Sequence, residues 1–251
     1  MSTPIKVAVL GAGGRMGKNV CAAVTAAPDL ELVAALDFGD DLAQVAAAGA
    51  QVAVDFTVPG ATEANVAALI DMGVHAVVGT TGWTDESRAR IVARLAEQGD
   101  RSTVLIAPNF GLSAVLAMTF AAKAAQYFES AEVIELHHPD KVDAPSGTAT
   151  HTAQAMAAAR TAAGVAPSPD ATETGFEARG ADVDGIRVHA VRLRGLVAHE
   201  EILLGNEGEQ LTIRQDSFDR ISFMPGVLLG IRKAGTRPGL TVGLEHLLDL
   251  S

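Results

Sequence analysis

The 251-residue sequence holds a single cysteine, Cys21, so no intramolecular disulfide can form. That fits a reducing compartment, and Cys21 reads as a small hydrophobe on the first helix rather than a reactive thiol. Positive charge is also scarce: 19 Lys and Arg stand against 30 Asp and Glu, a formal net charge of −11. Phosphate binding needs clustered Lys and Arg, so this balance argues against nucleic acid as a partner and against an anionic membrane surface. No run approaches the roughly 18 uninterrupted apolar residues of a membrane span. The opening Met1-Ser2-Thr3-Pro4 has no basic or apolar leader character and runs into a strand. The expected location is the cytoplasm. With 48% apolar and 20% charged residues, the rest is ordinary globular composition, long enough for one large domain or two modest ones.

Short apolar runs alternate with helical stretches through the first part of the chain. Ile5 to Leu10, Leu30 to Asp37, Gln51 to Phe56, His75 to Gly79 and Thr103 to Ala107 read as strands. Helical patterns fall near Gly17 to Ala27, Ala61 to Met72 and Asp85 to Gln98. Near-continuous apolar strands separated by helices predict a parallel sheet covered on both faces, a doubly wound Rossmann-type α/β domain. The pattern then changes. A helix over Leu112 to Phe128, a strand over Ala131 to His138 and a helix over Ser146 to about Ala163 lead into Gly164 to Asp184, read as an exposed loop. Three strand-like runs follow without intervening helices: Ile186 to Arg194, Val197 to Leu204 and Gln210 to Gln215, joined at Gly195 and at Gly205 to Gly208. Tight turns between successive strands predict a mostly antiparallel open sheet in a second, α+β domain. Phe218 to Ala234 reads as a helix returning to the first domain. The expected division is 1–108 with 219–251 for dinucleotide binding, and 109–218 for the substrate, the part to which the family resemblance set out below adds oligomerisation.

Directly after the first strand stands Gly11-Ala12-Gly13-Gly14-Arg15-Met16-Gly17. Glycines there let the backbone turn tightly and approach a pyrophosphate, and the following helix N-terminus offers N–H groups to the phosphates. Met16 sits where the third glycine of the usual spacing would fall, so the fit is to glycines 11, 14 and 17. Context strengthens the motif: a strand before, a helix after, and Asp37 ending the second strand. Asp37 would accept hydrogen bonds from ribose hydroxyls and repel a 2′-phosphate. Phe38-Gly39-Asp40-Asp41 brings no arginine to receive that phosphate, although Arg15 or Lys18 could partly substitute. NADH should be used at least as well as NADPH. Gly79-Thr80-Thr81-Gly82 and Ala107-Pro108-Asn109-Phe110 follow the fourth and fifth strands, at carboxyl ends where ligands of open α/β sheets bind.

The densest set of functional groups is His137-His138-Pro139-Asp140-Lys141-Val142-Asp143-Ala144-Pro145-Ser146-Gly147-Thr148. Ser146 is a candidate N-cap, and Ser146, Gly147 and Thr148 present N–H groups and hydroxyls suited to an anion, with Lys141 adding a full positive charge. The combination suits a carboxylate. Either His137 or His138 could donate a proton near neutrality. No zinc site is expected, because there is no second cysteine and adjacent strand residues point to opposite faces.

The glycine loop, Val-Gly-Thr-Thr-Gly at 78–82, Ala-Pro-Asn-Phe at 107–110 and Glu-Leu-His-His-Pro-Asp-Lys-Val-Asp-Ala-Pro-Ser-Gly-Thr-Ala at 135–149 resemble the dihydrodipicolinate reductase (4-hydroxy-tetrahydrodipicolinate reductase) family. The likeness runs through the whole chain in order, with 135–149 its specific part. It implies NAD(P)H-dependent reduction of 4-hydroxy-tetrahydrodipicolinate or dihydrodipicolinate to tetrahydrodipicolinate, in diaminopimelate and lysine biosynthesis. His137 matches the family's proton donor and Lys141 its second catalytic residue, while His138, Gly147 and Thr148 match residues holding the dicarboxylate. Residues 11–16, Asp37, 79–81 and 107–110 match cofactor contacts. The resemblance also implies a homotetramer joined through the substrate-domain sheet and use of either nicotinamide cofactor; closure of the two domains about residues near 108 and 218 is a hypothesis for excluding water from the hydride path. Some members place an arginine after the acidic residue; Phe38 here departs from that pattern.

Two other readings fit the same first domain: a Rossmann dehydrogenase acting on another amino or keto acid, and a regulator that senses NADH without chemistry. A sensor has no need of a histidine and a lysine beside an anion-binding turn.

Overall fold

The computed structural model describes residues 3–99, 101–173, 175 and 178–250. In chain order the elements are β1 (Ile5–Leu10), α1 (Arg15–Ala26), β2 (Leu30–Leu36), α2 (Ala43–Ala47), β3 (Val52–Asp55), α3 (Pro59–Asp71), β4 (His75–Val78), α4 (Asp85–Glu97), β5 (Thr103–Ile106) and α5 (Leu112–Ala125). They continue with β6 (Ser130–His137), α6 (Gly147–Ala162), β7 (Ala181–Val183), β8 (Ile186–Arg192), β9 (Ala198–Asn206), β10 (Glu209–Ser217), α7 (Met224–Lys233) and β11 (Gly239–Val242). Short 3-10 turns cover Arg220–Phe223 and Leu244–Leu247. The chain divides into two compact units, Met1–Phe110 with Phe223–Ser251, and Gly111–Ser222.

The first unit holds a six-stranded sheet in the order β11-β5-β4-β3-β1-β2, with every pairing parallel. Its central strands are buried along their whole length because helices cover both faces; Val7, Ala8, Val9, Ala53, Val54 and Val77 have no exposed surface. The chain runs from β1 outward to β2, then returns past β1 to β3. That reversal opens a crevice at the carboxyl ends of β1 and β3, the usual ligand position in such sheets. Two elements were not legible beforehand. α2 is five residues without a side-chain cap, and β11 is four residues that begin at Gly239 and are followed by Gly243, both at positive φ and so reading as turn chemistry. The expected helix over Phe218 to Ala234 is a 3-10 turn followed by α7.

The second unit packs α5 and α6 on one face of a five-stranded sheet, order β10-β9-β6-β8-β7. β6 alternates buried and half-buried residues, and α6 buries Ala149, Thr152, Ala153, Met156, Ala157 and Arg160. That is the i, i+3, i+4, i+7 spacing of a helix with one apolar stripe, here built from small residues that let the helix approach the sheet. Arg160, 5% exposed, donates to the carbonyls of Phe128, Glu129 and Ala166 and ties down the chain where α5 gives way to β6. The sheet is mostly antiparallel, with one parallel pairing, β6 with β8.

Two expectations need correction here. β8 and β9 do not form a hairpin at Gly195, because β6 lies between them and pairs with both. Residues 193–197 must cross two strand spacings, about 9–10 Å, which a two-residue hairpin turn cannot do. The stretch from Gly164 to Asp184 is not all loop, since Ala181–Val183 forms edge strand β7 against β8. Three residues, too few to show a strand pattern of their own, become a strand because a neighbouring edge offers them partners. Thr174, Phe176 and Glu177 of that stretch lie outside the described residues.

Candidate active site

In the first unit the glycine loop joins β1 to α1. Gly11 adopts φ +78°, and a Cβ there would lie 2.5 Å from the Phe56 carbonyl oxygen. A Cβ on Gly17 would stand 2.0 Å from the Gly11 oxygen, so glycine is required for the helix to start against the loop. No side chain caps α1 at Gly14, which leaves its first turn to a ligand's oxygens. Asp37 Oδ2 accepts from Gly13 N–H at 2.9 Å and Oδ1 from Phe38 N–H at 2.9 Å, fixing the carboxylate at the rim of the loop. Phe38 is fully exposed.

A cleft of about 340 Å³ brings this loop together with Gly79, Thr80 and Thr81, and adds Phe56 and Thr57. Beneath it lies Asp55, the fully buried last residue of β3. Its carboxylate accepts from Thr57 N–H (2.9 Å), Thr57 Oγ1 (2.7 Å), Asn65 Nδ2 (3.1 Å) and Thr80 Oγ1 (2.8 Å). One carboxylate therefore fixes the loops after β3 and β4 relative to each other. Sequence reasoning passed over Asp55, although an Asp at a strand's carboxyl end beside a small-residue loop was a usable signal. At the end of β5, Ala107 N–H bonds to Val78 O, and the Phe110 ring is buried 5.7 Å from the Phe56 ring. Phe110 thus anchors its loop through the core. The glycine cradle, uncapped helix and rim carboxylate fit a dinucleotide.

In the second unit His137 ends β6 on the helix-covered face, two residues beyond Glu135 and therefore on the same side. Glu135 has no exposed surface and every oxygen is engaged. Oε2 meets His137 Nδ1 at 2.6 Å and Arg192 Nη1 at 2.7 Å, while Oε1 accepts from Arg192 Nη2 (2.7 Å) and Ser146 N–H (3.0 Å). Burial alone would raise the Glu135 pKa, but Arg192 and His137 outweigh it and hold the group below the usual carboxylate range. An ionised carboxylate only accepts, so Nδ1 of His137 carries the hydrogen of this pair. Burial pushes the His137 pKa below its ordinary value, Glu135 pulls it up, and Lys141 and Arg192 add to the depression.

Ser146 caps α6, its Oγ accepting from Ala149 N–H at 3.1 Å. Ser146 is 3% exposed and gives its own N–H to Glu135, so that N–H is not offered to a ligand. Gly147 is the exposed residue of the turn, and a Cβ there would meet nothing within 4 Å. Lys141 Nζ bonds to Asp143 Oδ1 at 2.7 Å. His138, the next residue beyond the strand, is half-buried. Arg192 had no signal in the sequence, since its partner Glu135 lies 57 residues away.

Comparison with known proteins gives the chain's family. Residues 5–110 match the family model for the dihydrodipicolinate reductase N-terminus, and residues 113–248 that for its C-terminus. The 4-hydroxy-tetrahydrodipicolinate reductase of Beutenbergia cavernae is 65% identical over 250 residues, 98% of this chain and 99% of that protein. The enzyme of the same name from Bifidobacterium longum is 64% identical, across 98% of this chain and all of the relative. A solved structure of dipicolinate-bound dihydrodipicolinate reductase from Paenisporosarcina sp. TG-14 superimposes with TM-score 0.87 at 36% identity, covering 98% of this chain and 100% of that one. An amine dehydrogenase from Mycobacterium smegmatis, TM-score 0.63 at 12% identity over 98% of this chain and 97% of that one, shares the fold alone. With both halves of the chain matched by the family's models and relatives above 60% identity along its length, the chain belongs to the dihydrodipicolinate reductase family.

Proposed function

We propose that this chain is an NAD(P)H-dependent oxidoreductase that reduces 4-hydroxy-tetrahydrodipicolinate or dihydrodipicolinate to tetrahydrodipicolinate, in the route to diaminopimelate and lysine. The observation that carries the residue assignment is the buried Glu135–His137 pair, backed by Arg192 and set beside Lys141 and the α6 N-terminus. The nicotinamide supplies the hydride, delivered to the ring carbon remote from nitrogen. The electron-rich ring nitrogen system left behind takes a proton, and His137 Nε2 is the donor. Glu135 holds the imidazole in the tautomer and orientation this requires and favours the imidazolium before transfer. Lys141 and the N–H groups of Gly147 and Thr148 offset the substrate's carboxylate charge, with His138 completing the grip. In the first unit, residues Gly11 to Met16 cradle the pyrophosphate, Asp37 takes the ribose hydroxyls, and Gly79 to Thr81 with Ala107 to Phe110 border the nicotinamide.

Asp37 with Phe38 behind it favours NADH at least as strongly as NADPH, because nothing after the carboxylate receives a 2′-phosphate. The uncovered face of the second sheet, with half-buried Ile134, Leu136 and Leu203, is the surface through which four copies associate. Location in the cytoplasm is part of the same reading.

A pH profile tests the proton donor. The donor must be protonated, so rate falls as pH rises through its pKa. In the free protein burial depresses that pKa below about 6.5, whereas a bound dicarboxylate raises it by charge. The alkaline limb of kcat/KM, which reports the free enzyme, should therefore fall at lower pH than the limb of kcat, which reports the complex. Coincident limbs would remove His137 from the role.

A further inference from the structure

Beside Glu135 in the same sheet row stands a second buried carboxyl with a different environment. Glu200 on β9 is directly opposite Glu135 on β6, and Gln215 on β10 is directly opposite Glu200. All three are buried on the face that α5 and α6 cover, with Glu135 at 0%, Glu200 at 2% and Gln215 at 8% exposure. The two glutamates nonetheless differ. Glu135 has a guanidinium, an imidazole and a backbone N–H. Neither oxygen of Glu200 has a hydrogen-bond partner among the described residues.

The groups facing Glu200 from each packed element supply no cation of its own. β6 presents Glu135, whose Arg192 and His137 are already engaged with it. β10 presents the neutral Gln215, whose Oε1 takes a long bond from Ser113 of α5 at 3.4 Å. α6 presents Thr152, which pulls the Glu200 pKa down but gives its hydroxyl bond to Thr148 O at 3.0 Å. His199 and Glu201 alternate to the other face of the sheet, where His199 meets Asp216 and Glu201 meets Arg214. Burial first, and the neighbouring Glu135 charge after it, push Glu200 up to about 7. Thr152 and Thr148 are the same first turns of α6 whose N-terminus forms the anion cradle.

We propose that Glu200 is a positioning residue for the dicarboxylate: neutral, it leaves the cradle at Gly147, Thr148 and Lys141 electropositive, and ionised, it sets a second negative charge beneath the cradle beside Glu135 and weakens substrate binding. This rests on the reading of that turn as the carboxylate site. The proton Glu200 gives up goes to solvent, and the hydride and proton transfers of the reaction are untouched. The dependence belongs to substrate affinity and not to kcat.

Dipicolinate, the planar diacid, is the probe, and its dissociation constant is measured by calorimetry from pH 5.5 to 9 for the wild type and Glu200→Gln. Between pH 6 and 8.5 the wild-type constant should rise roughly three- to tenfold more than that of the variant, the scale of one added charge at a partly screened distance. Glu200→Gln, fixed in the neutral shape, should retain only the shallower pH dependence that the protonation of His137 gives both proteins. Infrared difference spectra of the wild type should show a protonated carboxyl band at pH 6 that is lost by pH 8.5 and is absent from the variant. Equal pH slopes in the two proteins overturn the proposal alone. No dipicolinate binding by the wild type at pH 6 overturns the cradle reading as well. If Glu200→Gln does not fold, the wild-type infrared band still decides, and its absence at pH 6 refutes the neutral acid.

Discussion

Replacing His137 with alanine is expected to lower kcat by roughly 10²–10⁴ while leaving the dissociation constant for NADH unchanged, the range for loss of a positioned proton donor. The separation follows from placement. His137 ends β6 in the second unit, whereas the glycine loop, Asp37 and the Asp55-tied loops belong to the first. Glutamine at position 135 should reproduce part of the loss, because an amide can still accept from Nδ1 but no longer carries charge to favour the imidazolium. Rapid-quench and NADH-binding measurements on both variants read this directly. A His137→Ala protein with wild-type turnover, or one that has lost NADH binding in proportion, contradicts the assignment.

Arg192→Leu should be the most destabilising single change in the site, by roughly 3–5 kcal/mol, because it leaves the Glu135 carboxylate buried without its bidentate partner. Arg192 also donates to Asp143 O at 2.7 Å, so the loop carrying Lys141 loses an anchor in the same variant. Replacing both partners, as Glu135→Leu with Arg192→Leu, removes the orphaned charge and should recover much of the stability without recovering activity. Denaturant unfolding of the two singles and the double closes that cycle. Additive losses would show that Glu135 and Arg192 are not the coupled pair their geometry makes them.

The loops proposed to carry the chemistry could be singled out in the sequence because each is local. A glycine loop announces itself by spacing, and His137 to Thr148 by the company of its residues, since strand end, cation and N-cap follow one another within a dozen positions. The supporting groups were not readable, for a physical reason: Glu135 and Arg192, Glu135 and Glu200, and Asp55 and Thr80 meet only across strands or loops. A buried carboxylate is unremarkable in a string of letters until the fold shows what it accepts from. The same limit explains the sheet order of the second unit. β8 and β9 are neighbours in sequence with a glycine between them, yet β6, more than fifty residues earlier, is what each of them pairs with. Ser146 shows the converse, a cap identified correctly from its position whose N–H the fold then commits to Glu135.

The most direct measurement is nicotinamide oxidation by the purified protein, with substrate generated in situ by condensing pyruvate with aspartate semialdehyde. The account predicts rapid, substrate-dependent loss of NADH absorbance, with NADPH used no better. No oxidation of either cofactor, in a protein that still binds NADH, would contradict it.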